Sequence, residues 1–430
     1  MTDITRRLRL QAIRQALHQF WGPIPQAERD STLNGAFQLM GQTLLGTFLP
    51  LLLLDGLHGT AQDMALMSSL PSLVGLGAVL LGAWWLARTR NLLGLTLGAV
   101  IAARAVLPLM AGAPFLGPGP AVVALLLLNA LMNFPGALAN MGWQAYIGDL
   151  IAPERRAAFF AERNRVINLA GMLVAIVAGL GLQAFRPTLL WPYQLALLAA
   201  GGFAVLEVWF LSRHPRLAPP APAEAITHSS WWQLLGPGRF RRVFWSAMTY
   251  NLVWQMAWPL FPLYQIDHAH ATAFWVALFG VLGQLGAILS LKAWGRASER
   301  VGIAWPLFFA AVGVALGPAL TVMSLNLDWL AGVNLIMGVF GAGFQMLLFN
   351  QLLEAAPRPQ RTAMVALYNV GLGVVGVSAP ELGVWLLAQV HMTASMELIS
   401  AFRAVAAVGF LWAGGVAWMR RRPHPLSRSI

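Results

Sequence analysis

Long apolar stretches and short polar breaks alternate along the whole chain. Twelve stretches can be drawn: 31–54, 62–86, 92–112, 119–147, 165–185, 190–212, 240–264, 272–293, 302–324, 328–353, 362–388 and 396–419. Each reaches roughly the 20 residues that a helix needs to cross a bilayer core, so each predicts a membrane-spanning helix. The sixth and seventh are separated by 213–238, which carries Pro215, Pro219, Pro220, Pro222 and Pro237. That composition predicts an extended linker between two sets of six.

Polar positions inside the stretches are ordered too. At about 100° per residue, Asn129, Asn133, Asn140 and Gln144 fall within about 60° of one another on one helix face. Asn34, Gln38 and Gln42 fall within about 80°. Asn251 and Gln255 are one turn apart, and Asn334 and Gln345 lie on one face three turns apart. A carboxamide turned to lipid costs about 1–2 kcal/mol or more per unsatisfied group, so these stripes must face protein or water. Two readings stay open: the wall of a solute cavity, or hydrogen bonding between helices. Phe37, Trp143, Tyr250, Trp254 and Trp258 lie near the stripes and are candidates for stacking surface.

Composition agrees with the pattern. Hydrophobic residues make up 58% of the chain and charged residues 10%, against about 25% charged in soluble domains. There is no cysteine, so no disulfide or thiolate metal site is available. Arg6, Arg7, Arg9 and Arg14 are not followed by the apolar run of a cleaved signal. Residues 4–20 read as an amphipathic helix on the membrane surface or as a solvated basic tail. All but Arg104, Arg186 and Arg403 of the 28 Lys and Arg sit at the termini, in the linker or in the loops between even and odd stretches. The positive-inside rule then predicts cytoplasmic termini. The net charge of +12 is explained by this topology, with no basic folded domain for nucleic acid.

The chain also repeats itself. Pro50, Gly77, Ala78 and Trp85 each meet an identical residue 209 positions later, at Pro259, Gly286, Ala287 and Trp294. From Asn129 onward the spacing becomes 205: Asn129 meets Asn334, Gly136 meets Gly341, Asn140 meets Gln345, and Asp149 meets Glu354. Arg156, Asn164 and Gly171 likewise meet Arg361, Asn369 and Gly376. A four-residue difference near 113–120 accounts for the change. Two homologous halves in an apolar protein predict a transporter built about a pseudo-two-fold axis. The predicted divisions are a cytoplasmic segment 1–30, a six-helix bundle 31–212, the linker 213–238, a second bundle 239–419 and a cytoplasmic tail 420–430.

Between the eighth and ninth stretches stands Gly295-Arg296-Ala297-Ser298-Glu299-Arg300-Val301-Gly302. With the six-plus-six repeat and the central linker, this resembles the major facilitator superfamily and its signature loop of Gly, three residues, an acid, Arg, one residue and Gly. The usual following basic pair is replaced by Ile303 and Ala304, and the loop 86–91 keeps Arg88 and Arg90 but has lost the Gly and the acid. The resemblance implies an all-α membrane protein, with twelve transmembrane helices in two pseudo-symmetric six-helix bundles. It implies that the first and fourth helices of each half line a central cavity. It also implies a cytoplasmic latch of Gly295, Glu299, Arg300 and Gly302, with Glu299 facing Arg361. In the first half, Asp149 or Glu154 facing Arg88 or Arg90 is the substitute. Drug antiporters of the family often carry a Gly- and Pro-rich fifth helix. Here 171–181 has no Pro, and a Gly-rich run with Pro380 lies in the eleventh stretch instead.

The predicted cavity helices carry no mid-membrane charge, which favours a neutral solute. Asp30 opens the first stretch, and Asp149 and Glu354 close the fourth and tenth. Glu381 and Arg403 lie at similar depth, as an ion pair or with Glu381 as a coupling acid. Arg104 is expected to brace a neighbouring helix, and Glu207 to reach the cytoplasmic interface. No metal-ligand spacing and no phosphate loop is present, so neither an enzyme, a metal site nor a cofactor is expected. The expected activity is secondary transport of a small organic solute by alternating access in the inner membrane. The other reading is a non-transporting relative: an assembly factor or a lipid- or pigment-handling protein. The expected partners are the solute and the lipid bilayer, with protons as candidate coupling ion, no nucleic acid, and a monomeric chain.

Overall fold

The computed structural model describes residues 25–89, 91–151, 153–185, 189–216, 234–235, 238–357 and 360–418. The expected basic N-terminal helix, most of the linker and the tail lie outside this set. Twelve helical spans form two bundles. In the first, α1 is Gln26–Leu51 and continues as a π-helical turn, Leu52–Gly56; α2 is Ala61–Arg88. α3 has two pieces, Leu92–Arg104 and Val106–Gly112; α4 is Pro118–Leu150, α5 Pro153–Gln183 and α6 Trp191–Ser212. In the second, α7 has two pieces, Gly238–Met256 and Leu260–Leu263, followed by the π-helical turn Tyr264–His268. α8 is Ala273–Val301, α9 has pieces Ala304–Ala315 and Gly317–Val322, α10 is Leu327–Ala355, α11 Arg361–Gln389 and α12 Met392–Trp418. By length and composition, ten helices among the described residues can cross a membrane. α2 and α7 complete the twelve from within the bundles.

The packing repeats as the sequence does. α1 lies against α5 and α6 as α7 lies against α11 and α12. α4 lies against α2 and α3 as α10 lies against α8 and α9. The halves meet through α2 with α11 and α5 with α8, two contacts related by the same axis. The repeated glycines have diverged in use. A Cβ at Gly286 of α8 would strike the backbone of α10 at Leu335, whereas one at Gly77 of α2 would meet open space.

One end of the bundle carries Arg88, Arg155, Arg213, Arg239, Arg296 and Arg361; this is the basic end. At the far end a single apolar core joins the halves and holds Leu52, Leu53, Leu54 and Met64 together with Leu260, Tyr264, Ile266 and Ala273. Toward the basic end the cores separate by half: Phe240, Val243, Phe344 and Leu352 in one, Ile147, Ile151 and Phe159 in the other. Three ion pairs there lie within a half: Glu28 with Arg155 at 3.0 Å, Asp30 with Arg213 at 3.6 Å, and Arg239 with Glu354 at 3.1 Å. Among the described residues the halves are thus joined at the far end and parted in their cores at the basic end.

Candidate functional site

A cavity of about 560 Å³ lies in the second half against α7, α8 and α10. Its wall includes Trp254, Phe261, Gln284, Met337 and Gln345, with Arg403 of α12 behind. Gly283 and Gly338 also line it, where α8 and α10 cross without side chains: a Cβ at Gly338 would collide with the Gly283 carbonyl. Arg403 is 1% exposed. Its Nε donates to the Val253 carbonyl at 3.3 Å, Nη1 to that of Val314 at 3.3 Å and Nη2 to that of Trp254 at 2.5 Å.

A smaller pocket of about 130 Å³ lies inside the first half, among Asn34, Gln38, Thr96, Asn140, Trp143 and Arg163. Behind it Arg104 holds Glu207 in a bidentate pair, Nε to Oε2 at 2.8 Å and Nη2 to Oε1 at 3.2 Å. Asn34 donates to the Glu207 carbonyl at 2.9 Å. Arg163 stacks its guanidinium 4.2 Å from the Trp143 ring centroid.

Polar side chains also stitch the two halves. Glu381 of α11 accepts from Gln62 Nε2 at 2.6 Å and from Ser69 Oγ at 2.6 Å, both on α2. On the symmetry-related contact Gln284 Nε2 donates to Asn168 Oδ1 at 2.8 Å. At the far rim Asp55 and Asp267 repel each other across the closure. Each stands three residues before a histidine with left-handed backbone, His58 at φ 56° and His270 at φ 52°. Asp267 lies past the end of α7, and its carboxyl is pushed above the usual range by burial, an effect opposed by His268 and His270.

A sequence model of the Major Facilitator Superfamily matches residues 32–327 and, in a second alignment, 243–430. The chain belongs to the Major Facilitator Superfamily.

Solved transporter structures share its fold. A mutant of the nucleoside transporter NupG superposes with TM-score 0.71 at 12% identity, over 90% of this chain and 99% of that one. A POT family transporter in complex with a thioalcohol-conjugated peptide gives 0.70 at 13%, over 91% and 96%. A bacterial metal transporter gives 0.63 at 18%, over 91% and 99%. Azole resistance protein 1 of Saccharomyces cerevisiae is 29% identical over 97 residues, which are 23% of this chain and 16% of that protein.

Within this superfamily frame the carboxamide stripes divide. Asn129 donates to the Met67 carbonyl of α2 at 3.1 Å. Asn133, Asn251 and Asn334 donate to carbonyls one turn back in their own helices, Asn129, Ala247 and Leu330. Gln255 is buried, while Gln42, Asn140, Gln144 and Gln345 are exposed. Of the expected stacking residues, Tyr250 is consumed by packing: its hydroxyl donates to the Ala311 carbonyl at 2.6 Å. Phe37 stacks on Phe203 and Phe210.

Three expectations need correction. Glu381 and Arg403 do not pair; the former faces α2 and the latter is held by three carbonyls. Glu207 does not reach an interface; at 2% exposure it turns inward to Arg104, because a neighbouring cation makes burial tolerable. The expectation of an uncharged solute site took in only the four cavity helices and left out α12, whose Arg403 reaches the wall of this cavity. The expected contact of Glu299 with Arg361 is not made among the described residues. Gly295, Gly302 and Arg300 stand at the parted end, Glu299 and Arg361 are both exposed, and no described contact joins them. For the first-half substitute, Arg90 and the Asp149 side chain lie outside the described residues. Sequence reasoning missed Asn168, Gln62, Ser69 and the paired Asp-x-x-His turns. The last were findable: Asp55 and His58 meet Asp267 and His270 at a common spacing of 212.

Proposed function

We propose that this chain is a secondary transporter, active or facilitative, that moves a small organic solute by rocking its two halves about a path between them, with the second-half cavity opening on that path. The observation that carries this reading is the unequal contact between the halves, one shared core at the far end and separate cores at the basic end. With the basic end in the cytoplasm by the positive-inside rule, both termini are cytoplasmic and the structure is the inward-open state. Asn140, Gln144 and Gln345 are then wetted from the cytoplasm. Glu299 meets Arg361 only when the basic end closes. Glu381 is the side chain best placed to couple the far gate to protons, since it is a carboxylate bonded across the halves by neutral donors.

The naturally cysteine-free chain permits a test that needs no known solute. Gln345→Cys is expected to label with an impermeant maleimide from the cytoplasmic face in the resting state, and from the opposite face in the alternate state. Leu76 Cβ lies 3.5 Å from where a Cβ on Gly373 would stand, within disulfide reach. Oxidising Leu76→Cys with Gly373→Cys is therefore expected to abolish labelling from the far face, reversibly on reduction. A Gln345→Cys that only ever labels from one face would leave a binding member of the superfamily without transport.

A further inference from the structure

The breaks in α7 and α9 explain why an arginine sits on α12. Pro318 has no N–H to give the carbonyl of Val314 one turn back. Pro259 likewise leaves the Gln255 carbonyl to Trp258 N at 3.1 Å, which removes from the Trp254 carbonyl its ordinary donor. Arg403 supplies the missing donors to Val314 and Trp254, and adds a third to Val253. Neutral amides could serve such carbonyls; the guanidinium adds a permanent charge. Three of its five N–H groups are used, and two remain. No carboxylate among the described residues pairs with it, and no other ionisable side chain lines the cavity. A buried cation balanced only by peptide dipoles is costly until an anion joins it. The surrounding wall, with Trp254, Phe261, Met337 and Met346, is apolar and aromatic, and Gln345 offers a neutral polar contact.

We infer that the solute is an amphipathic organic anion whose carboxylate docks beside Arg403, with its apolar body against the aromatic wall. This rests on the transport reading above and replaces the neutral solute expected from the sequence alone. Binding is measured on the purified full-length protein by thermal shift and titration. The probes are phenylacetate, 1-naphthoate and indole-3-acetate, each against its own primary amide. Charge-assisted bonds predict that carboxylates bind at least about tenfold tighter than their amides. Arg403→Gln is expected to erase that preference and Arg403→Lys to retain part of it. Should Arg403→Gln fail to fold, Ala287→Trp, which fills the cavity with Arg403 intact, is expected to abolish carboxylate binding. Amides binding as well as carboxylates, a preference that survives Arg403→Gln or Ala287→Trp, or no stabilisation by any carboxylate would each overturn the inference. The two readings fail separately: a protein that alternates but prefers amides loses only this inference. One that keeps the carboxylate preference but labels from one face loses only transport.

Discussion

α6 and α12 occupy equivalent places in the repeat, and each buries one full charge, Glu207 at 2% exposure and Arg403 at 1%. In the first half the break in α3 falls at Arg104, which reaches across and neutralises Glu207. In the second half the break in α9 offers only the Val314 carbonyl. The charge buried on α6 is thus paired and the one buried on α12 is not. At these two equivalent places the first half is braced, while the second keeps an uncancelled charge at the cavity wall. The two-fold pattern is an architectural inheritance, and these buried charges mark a place where it is broken.

The largest expected effect tests this difference. Arg104→Gln strands a buried carboxylate, and removal of one partner from such a pair costs about 3–5 kcal/mol. The variant should unfold at markedly lower temperature, and Glu207→Gln on top of it should recover much of the loss. Arg403→Gln strands no opposite charge and leaves an amide for the freed carbonyls. Its cost should be nearer 1–2 kcal/mol, the range of one or two buried hydrogen bonds. Thermal unfolding of the three variants in one detergent checks the order. Equal losses for Arg104→Gln and Arg403→Gln would mean that the halves bury their charges on the same terms.

The twelve helices, the linker and the repeat were legible because each is a local property: a run of apolar residues, a cluster of prolines, a fixed spacing. Side-chain partners were not. The faces of α1 and α4 could be drawn on a helical wheel, but a wheel does not say whether Asn129 meets solute or the Met67 carbonyl of α2. Arg403 and Glu381 share a depth in the membrane, and depth alone suggested a pair. Their azimuths differ: one turns into its own half toward broken helices, the other across the interface to Ser69. Pro259 and Pro318 were visible throughout. Their consequence for a residue on α12 required knowing which helices touch.

The two contacts between the halves sharpen the comparison at a smaller scale. α2 and α11 are clamped by a carboxylate, Glu381, and α5 and α8 by a neutral carboxamide pair, Asn168 and Gln284. Glu381→Gln places an amide NH₂ where Gln62 or Ser69 already donates, so one bond is lost and two donors face each other. A cost of about 1–2 kcal/mol shifts the balance between closed and open far ends by about 5- to 30-fold. Far-side labelling of Gln345→Cys should rise by that factor. Asn168→Ala leaves a single side-chain bond unmade and should raise it less. The reverse order would make the neutral contact the main gate.

The smallest expected effect asks whether the far rim treats the halves alike. Asp55 and Asp267 close on each other from equivalent turns, with His58, His268 and His270 around them. Burial raises the Asp267 carboxyl in the closed state, so that state holds a proton more tightly than an opened, solvated rim does. The sign follows from linkage. The contribution of Asp267 to closure is fully present below the ordinary carboxyl range and is lost as pH rises through the raised value. Mild acidification should therefore lower far-side labelling of Gln345→Cys. The change should be only a few-fold, because Asp267 is exposed enough for water to screen it. Asp267→Asn should flatten the pH response. If the repulsion is shared equally, Asp55→Asn should flatten it as much, and the rim is a symmetric device. If only one substitution does so, the far gate has diverged between the halves as the buried charges have.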